Sequence, residues 1–235
     1  MKFDANDYVV LLAAISSPDI CESQYELAYA VNVTGTGRLI DSALSVGAKV
    51  LFFSSDTVLG EARVAADENA PVNPLGAYAV MKCEIEQKYK AYNNFKVFRL
   101  SYVFSTADKF TSYIAQCSKT HTPAEVFNTL YRNVIYIDDV VDAIIALPNK
   151  FETYDNHLFH LVGNELLSRM DMAIILKEQV WSSLEVNTVD PPLGFFDRRP
   201  AVINTKSIYL QGLLGKQSAS FKDAVKCEFG KEFTL

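Results

Sequence analysis

The sequence predicts an α/β fold built on a parallel sheet. Apolar runs of strand length alternate with longer segments of helical spacing, in the order strand, helix, strand, helix, strand. The strand-length runs are mostly apolar on both alternate sets of positions, as in strands covered on both faces. The 235 residues are 49% apolar and 21% charged, enough apolar surface for a sizeable core and too much for a disordered chain.

Residues 8–14, YVVLLAA, form the first predicted strand. Residues 23–46 read as a helix, because Leu27, Ala30, Val31, Leu39, Ile40, Ala43 and Leu44 recur mostly three, four or one apart, and Gly47 supplies a stop. Asn32 is a poor mid-helix residue and predicts a kink or a buried hydrogen bond there. KVLFFSS (49–55) is the second strand. A loop with Gly60, Pro71, Pro74 and Gly76 leads to a helix over 75–92 and a third strand over 95–100. The connections predict right-handed crossovers.

The second half is less regular. It predicts a helix over 108–118, a strand over 133–137 and a helix over 138–147. Asp138 and Asp139 fit that helix's positive N-terminal end. A strand over 157–162, a helix over 167–180 and a short strand over 184–189 follow. The Pro-rich stretch 190–200 reads as a loop before short helices around 205–214 and 219–227.

Composition narrows the function. Lys and Arg number 22 against 28 Asp and Glu, a net charge of −6 with no dense basic run, so neither nucleic acid nor an anionic membrane surface is an expected partner. No stretch approaches the roughly 18 apolar residues of a membrane span. The N-terminus has no signal-peptide pattern. Cys21, Cys83, Cys117 and Cys227 are dispersed, so free thiols and a cytoplasmic location are expected. His157 and His160 would point to opposite faces of a strand, and no metal site is expected.

Tyr78 and Lys82 are four apart on a predicted helix and share one face. A nearby ammonium favours the phenolate, so the pair is a candidate tuned acid/base. Ser54, Ser55 and Asp56 sit at the C-terminal end of a predicted parallel strand, where open α/β sheets place ligands. A serine hydroxyl there would donate to a substrate carbonyl.

LLAA (11–14), NVTGT (32–36), FFSSDTVLG (52–60), YAVMK (78–82), FRLSYVF (98–104) and VIYIDDVVDAI (134–144) stand in the order seen in extended short-chain dehydrogenases. The chain resembles their NAD-dependent epimerase/dehydratase family. Its SSDTV segment and RRPAVINTKSI (198–208) are similar to the dTDP-4-dehydrorhamnose reductase-like members. The resemblance implies a Rossmann sheet and hydride transfer between NAD or NADP and a nucleotide sugar. It assigns a catalytic tetrad to Asn32, Ser55, Tyr78 and Lys82, with Lys82 lowering the Tyr78 pKa. It places the cofactor against Leu12, Ala13, Ala14, Ser54, Tyr78 and Lys82, and the substrate against Asp56, Thr57 and Arg199. Arg132 is either a second diphosphate clamp or a solvated side chain.

The family's glycine-rich turn is not found, since the first glycine is Gly35, inside the NVTGT segment. The chain is expected to begin at the family's fourth strand, short of two βα units of about 30 residues each. The expected architecture is therefore an incomplete doubly wound Rossmann sheet over 1–104, lacking the first βαβαβ half, and a small α/β substrate lobe over 105–235, some of whose strands and helices return to the Rossmann core. Residues 8–14 then form an edge strand. Three readings stay open: a nucleotide-sugar oxidoreductase or epimerase impaired in cofactor binding, a non-catalytic nucleotide-sugar- or partner-binding relative, and an inactive gene fragment. A homodimer is possible.

Overall fold

A computed structural model describes residues 2–230. The chain opens with strand β1 (Tyr8–Leu11). Helices α1 (Pro18–Ser23), α2 (Tyr25–Tyr29) and α3 (Thr36–Ser45) follow, the last two joined by a π-turn over Ala30–Gly35. Next come β2 (Lys49–Ser55), β3 (Ala62–Ala66), α4 (Ala77–Tyr89), β4 (Phe95–Leu100) and β5 (Tyr102–Phe104). The second half contains α5 (Lys109–Thr120), β6 (Ala124–Val126), β7 (Tyr131–Tyr136), α6 (Ile137–Lys150), β8 (Leu158–Leu161) and β9 (Leu166–Ser168). It ends with α7 (Arg169–Gln179), β10 (Val186–Thr188), β11 (Val202–Thr205), α8 (Leu210–Leu214) and α9 (Phe221–Gly230).

The main sheet has four parallel strands in the order β1-β2-β4-β8. Alternation along β2 covers both faces, as the unbroken apolar runs predict. Val50 and Phe52 pack with Ile40, Met81 and Ile85 on one side. Leu51 and Phe53 pack with Val140, Ala143 and Leu147 on the other.

β1 lies at the sheet edge, as expected, and among the described residues it pairs only with β2. It is shorter than expected. Its register ends at Leu11 opposite Phe52, and Leu12 is 62% exposed. Beyond the strand Asn32 holds the backbone at Ile15: its Oδ1 accepts from the Ile15 N–H and its Nδ2 donates to the Ile15 carbonyl, both at 2.9 Å. Asn32 is buried within the π-turn. The single helix read over 23–46 is therefore broken into α2, the π-turn and α3, so both the kink and the buried hydrogen bond are present.

A second sheet runs β3-β11-β7-β5, with β9 antiparallel on β7, and among the described residues β10 pairs with β6 alone. Sequence patterning missed β3, β5, β6, β9 and β11. They are three to five residues long, too short for a period to register. The helix expected from about 205 begins only at Leu210, because Val202–Thr205 is drawn between β3 and β7. A Cβ on Gly163 would lie 1.7 Å from the Val134 carbonyl, so only glycine lets the chain after β8 cross β7. Among the described residues no helix is long and apolar enough to cross a membrane.

A buried ion pair ties α4 to β4: Arg99 Nη2 donates to Glu86 Oε2 at 2.6 Å and Nε to Oε1 at 3.1 Å, both side chains 4% exposed. Removing one partner strands the other charge in the core. Glu86→Met should cost about 3–5 kcal/mol in urea denaturation, while the double variant Glu86→Met/Arg99→Met should recover most of that loss. A double variant as unstable as the single one would contradict this account.

Candidate active site

Helix α4 presents Tyr78 and Lys82 on one face. Lys82 Nζ donates to the Phe53 carbonyl on β2 at 2.7 Å and stands 4.5 Å over the Phe52 ring. Burial pulls the Lys82 pKa down to about 8, against the opposing charge of Glu86. Tyr78 moves the other way. Burial pushes it up to about 12, and the nearby Cys21 and Asp56 add to the rise. The expected lowering of Tyr78 by Lys82 is thus not observed. The ammonium is 5.8 Å from the Tyr78 ring centroid, is committed to the Phe53 carbonyl, and desolvation of the phenolate dominates. At neutral pH Tyr78 is a protonated phenol, ready to donate.

Beside this helix β2 ends in a polar turn. Ser55 Oγ accepts from the Thr57 N–H at 3.2 Å and the Thr57 hydroxyl at 3.0 Å, and donates to Asp56 Oδ1 at 3.3 Å. Asp56 is 3% exposed. Burial raises its pKa, and the charge of Arg132 works against that rise. Asp56 Oδ2, Ser54 Oγ and Ser101 Oγ are buried without a hydrogen-bond partner among the described residues. Ser54 and Asp56 end β2 and Ser101 follows β4; the Ser101 hydroxyl helps hold the Asp56 pKa down, and the buried Ser54 hydroxyl is left to a ligand or water.

A cleft of about 240 Å³ opens here, bordered by Asp56, Thr57, Tyr78, Ser101, Tyr102 and Phe195, with Arg132, Arg169, Arg198 and Arg199. Arg132 is not a free surface side chain: its guanidinium donates to the carbonyls of Tyr131 (2.6 Å), Pro200 (2.8 Å) and Ala201 (3.2 Å). Arg199 pairs with Asp19 and stacks 4.3 Å over Phe195. Sequence reasoning missed Arg169, Arg198 and Ser101. Arg169 follows the Ser168 cap of α7 and stacks 3.7 Å over the Tyr102 ring. No local motif marks it, since its place depends on strands far along the chain.

The structure thus brings Asp56, Thr57, Tyr78 and Arg199 to one cleft, with Lys82 and Ser54 buried. Asn32 holds the Ile15 backbone and its Nδ2 lies 3.7 Å from Met81 Sδ, behind α4. Leu12 and Ala13 lie in a separate groove with Ala30, Val31 and Gly35. The nicotinamide end of a dinucleotide fits this chemistry, because Ser54 offers an unpaired hydroxyl and Lys82 a cation next to Tyr78. No pyrophosphate cradle accompanies it among the described residues: Gly35 lies in the π-turn, where a Cβ would meet the Ala30 carbonyl at 3.2 Å. Among the described residues no group of three or more His, Cys, Asp or Glu side chains is placed to hold a metal ion.

Residues 2–226 match the family described as RmlD substrate binding domain. The dTDP-4-dehydrorhamnose reductase of Mycobacterium tuberculosis is 28% identical over 184 residues, 74% of this chain and 59% of its own. Methionine adenosyltransferase 2 subunit beta of Mus musculus is 24% identical over 229 residues, 93% of this chain and 68% of its own. The dTDP-4-dehydrorhamnose reductase of Yersinia enterocolitica superposes with a TM-score of 0.85 at 22% identity, covering 95% of this chain and 80% of that one. A UDP-glucuronic acid 4-epimerase of Bacillus cereus, solved with UDP-glucuronic acid and NAD, gives 0.79 at 21% identity, covering 97% and 76%. The last two likenesses are of fold. The chain spans 59% of the length of the mycobacterial reductase.

The depressed Lys82 pKa has a measurable consequence. Between about 8 and the ordinary value of 10.5 the unfolded chain binds more protons at Lys82 than the folded one, so folding stability from this group rises with pH. Urea denaturation at pH 7.5 and at pH 10 should show wild type gaining stability relative to Lys82→Met. A pH-independent difference would refute the assignment.

Proposed function

The chain belongs to the RmlD substrate binding domain family, and we propose that it is an NAD(P)-linked oxidoreductase acting on a nucleotide sugar. Reduction of a sugar keto group, as the name dTDP-4-dehydrorhamnose reductase describes for its relatives, is the preferred direction. The observation that carries this reading is the meeting of a protonated Tyr78 with Asp56, Thr57 and an arginine-walled cleft.

A bound nicotinamide would supply the hydride, held by Ser54, Tyr78 and Lys82. Tyr78 donates its phenolic proton to the carbonyl oxygen as that oxygen gains charge. Lys82, with the lower pKa, gives up a proton more readily than Tyr78 and is a source for restoring the phenol. Ser55 would polarise the same oxygen by turning its hydroxyl from Asp56 Oδ1 to the substrate. Asn32 acts by holding the backbone at Ile15. Asp56 and Thr57 meet sugar hydroxyls, and Arg199 with its neighbouring arginines meets the diphosphate. Dehydration is disfavoured because Thr57, not an acid, follows Asp56. The same proposal takes residues 1–104 as the cofactor-side part and 105–235 as a mixed substrate lobe from which β8, α6 and α8 return to the main sheet, in a cytoplasmic protein that binds dinucleotide weakly by itself.

A second reading is a non-catalytic nucleotide-sugar- or partner-binding role. It is favoured by the match of 93% of this chain to a protein named as a subunit.

Turnover of a dTDP-4-keto sugar with NADH or NADPH separates the two. Tyr78→Phe should lower it at least about 100-fold with little change in Tm. Unchanged turnover would remove Tyr78 from the mechanism, and no turnover despite nucleotide-sugar binding by wild type would favour the second reading. Micromolar NADH or NADPH binding by this chain would defeat the expectation of weak cofactor affinity.

A further inference from the structure

Helix α4 starts without a capping side chain of its own. Gly76 precedes it at φ 84°, and a Cβ there would lie 2.5 Å from the Arg198 carbonyl. The loop carrying Arg198 and Arg199 is therefore seated on the entry to the helix that carries Tyr78. The first N–H groups of any helix need outside acceptors. Ala77 finds its acceptor in Glu22 of α1, whose Oε1 takes the Ala77 N–H at 2.7 Å. The other oxygen of Glu22 accepts from Arg198 Nη1 at 2.7 Å. One carboxylate thus touches the residue before Tyr78 and an arginine of the cleft. One turn earlier on α1, Asp19 pairs with Arg199.

We infer that Glu22 is a positioning residue: it latches the arginine loop to the first turn of α4, and the substrate's diphosphate opens the latch by drawing Arg198 away. The opening step rests on the nucleotide-sugar reading above; the latch itself does not. Arg198 and Glu22 side chains are 68% and 26% exposed, so an anion entering the cleft reaches the pair. When Arg198 turns to the anion, Glu22 keeps the Ala77 N–H and its charge stays at the positive end of α4. The tyrosine is then held in place while the loop changes partner.

The two halves have separate tests. In ligand-free protein, hydrogen exchange of the amides at 77–80 should quicken several-fold in Glu22→Ala. It should stay near wild type in Glu22→Gln, whose amide oxygen still accepts, and quicken less in Arg198→Ala. Unchanged exchange in both alanine variants would overturn the latch. Calorimetric titration with thymidine diphosphate tests the opening. Glu22→Gln should bind it about two- to five-fold more tightly than wild type, the worth of an exposed ion pair no longer broken. In an Arg198→Ala background the same change should have no effect. Weaker binding by Glu22→Gln, or equal tightening in both backgrounds, would overturn the exchange of partners. If wild type fails to bind thymidine diphosphate, the nucleotide-sugar reading and the opening fall together, and the exchange arm alone still decides the latch.

Discussion

Lys82 reaches from α4 to the carbonyl of Phe53 on β2, 2.7 Å away, over the face of Phe52. A buried ammonium is costly unless it is hydrogen-bonded, so this contact permits little sliding of the helix along the strand. Much else depends on that register. It sets Tyr78 over the end of β2, where Asp56 and Thr57 turn out of the sheet. It also lets Glu86, one turn further along α4, meet Arg99 on β4. The same burial that holds the helix depresses Lys82 and raises Tyr78, leaving a proton donor and its neighbour with well separated affinities.

The cleft is assembled from segments far apart in the chain. β2 brings Asp56, β7 brings Arg132, α7 brings Arg169, and the loop before β11 brings Arg198 and Arg199. Parallel strands end at a common edge, and this lets their loops converge. The arginines are already partnered, by backbone carbonyls for Arg132 and by acids of α1 for Arg198 and Arg199. A ligand that takes them must compete with those partners.

Legibility in the sequence follows burial. The strands over 49–55 and 95–100 match their expected bounds because both faces are covered and apolar residues dominate each run, with Lys96 and Arg99 the buried charges of the second. β3 and β11 were invisible because each is a few mixed residues that become strand only when paired with the other. Asn32 announced a disturbance through its poor helix propensity, but its partner Ile15, 17 residues away, could not be named from spacing. Tyr78 and Lys82 were identifiable from the i, i+4 rule and from resemblance. The direction of the Tyr78 shift was not, since it depends on how deeply the ring is buried and where the ammonium points.

Local spacing and apolar periodicity by themselves determined the alternation of strands and helices and the shared face of the tyrosine–lysine pair, while the edge position of the first strand came through the family resemblance. These are properties of neighbouring residues and of chain order. Tertiary structure alone decided which arginines wall the cleft, which hydroxyls lie buried without partners, and that Glu22 of α1 caps the helix of Tyr78. Such features arise between residues 50 to more than 100 positions apart, and their energies depend on desolvation and orientation, which the linear pattern does not encode.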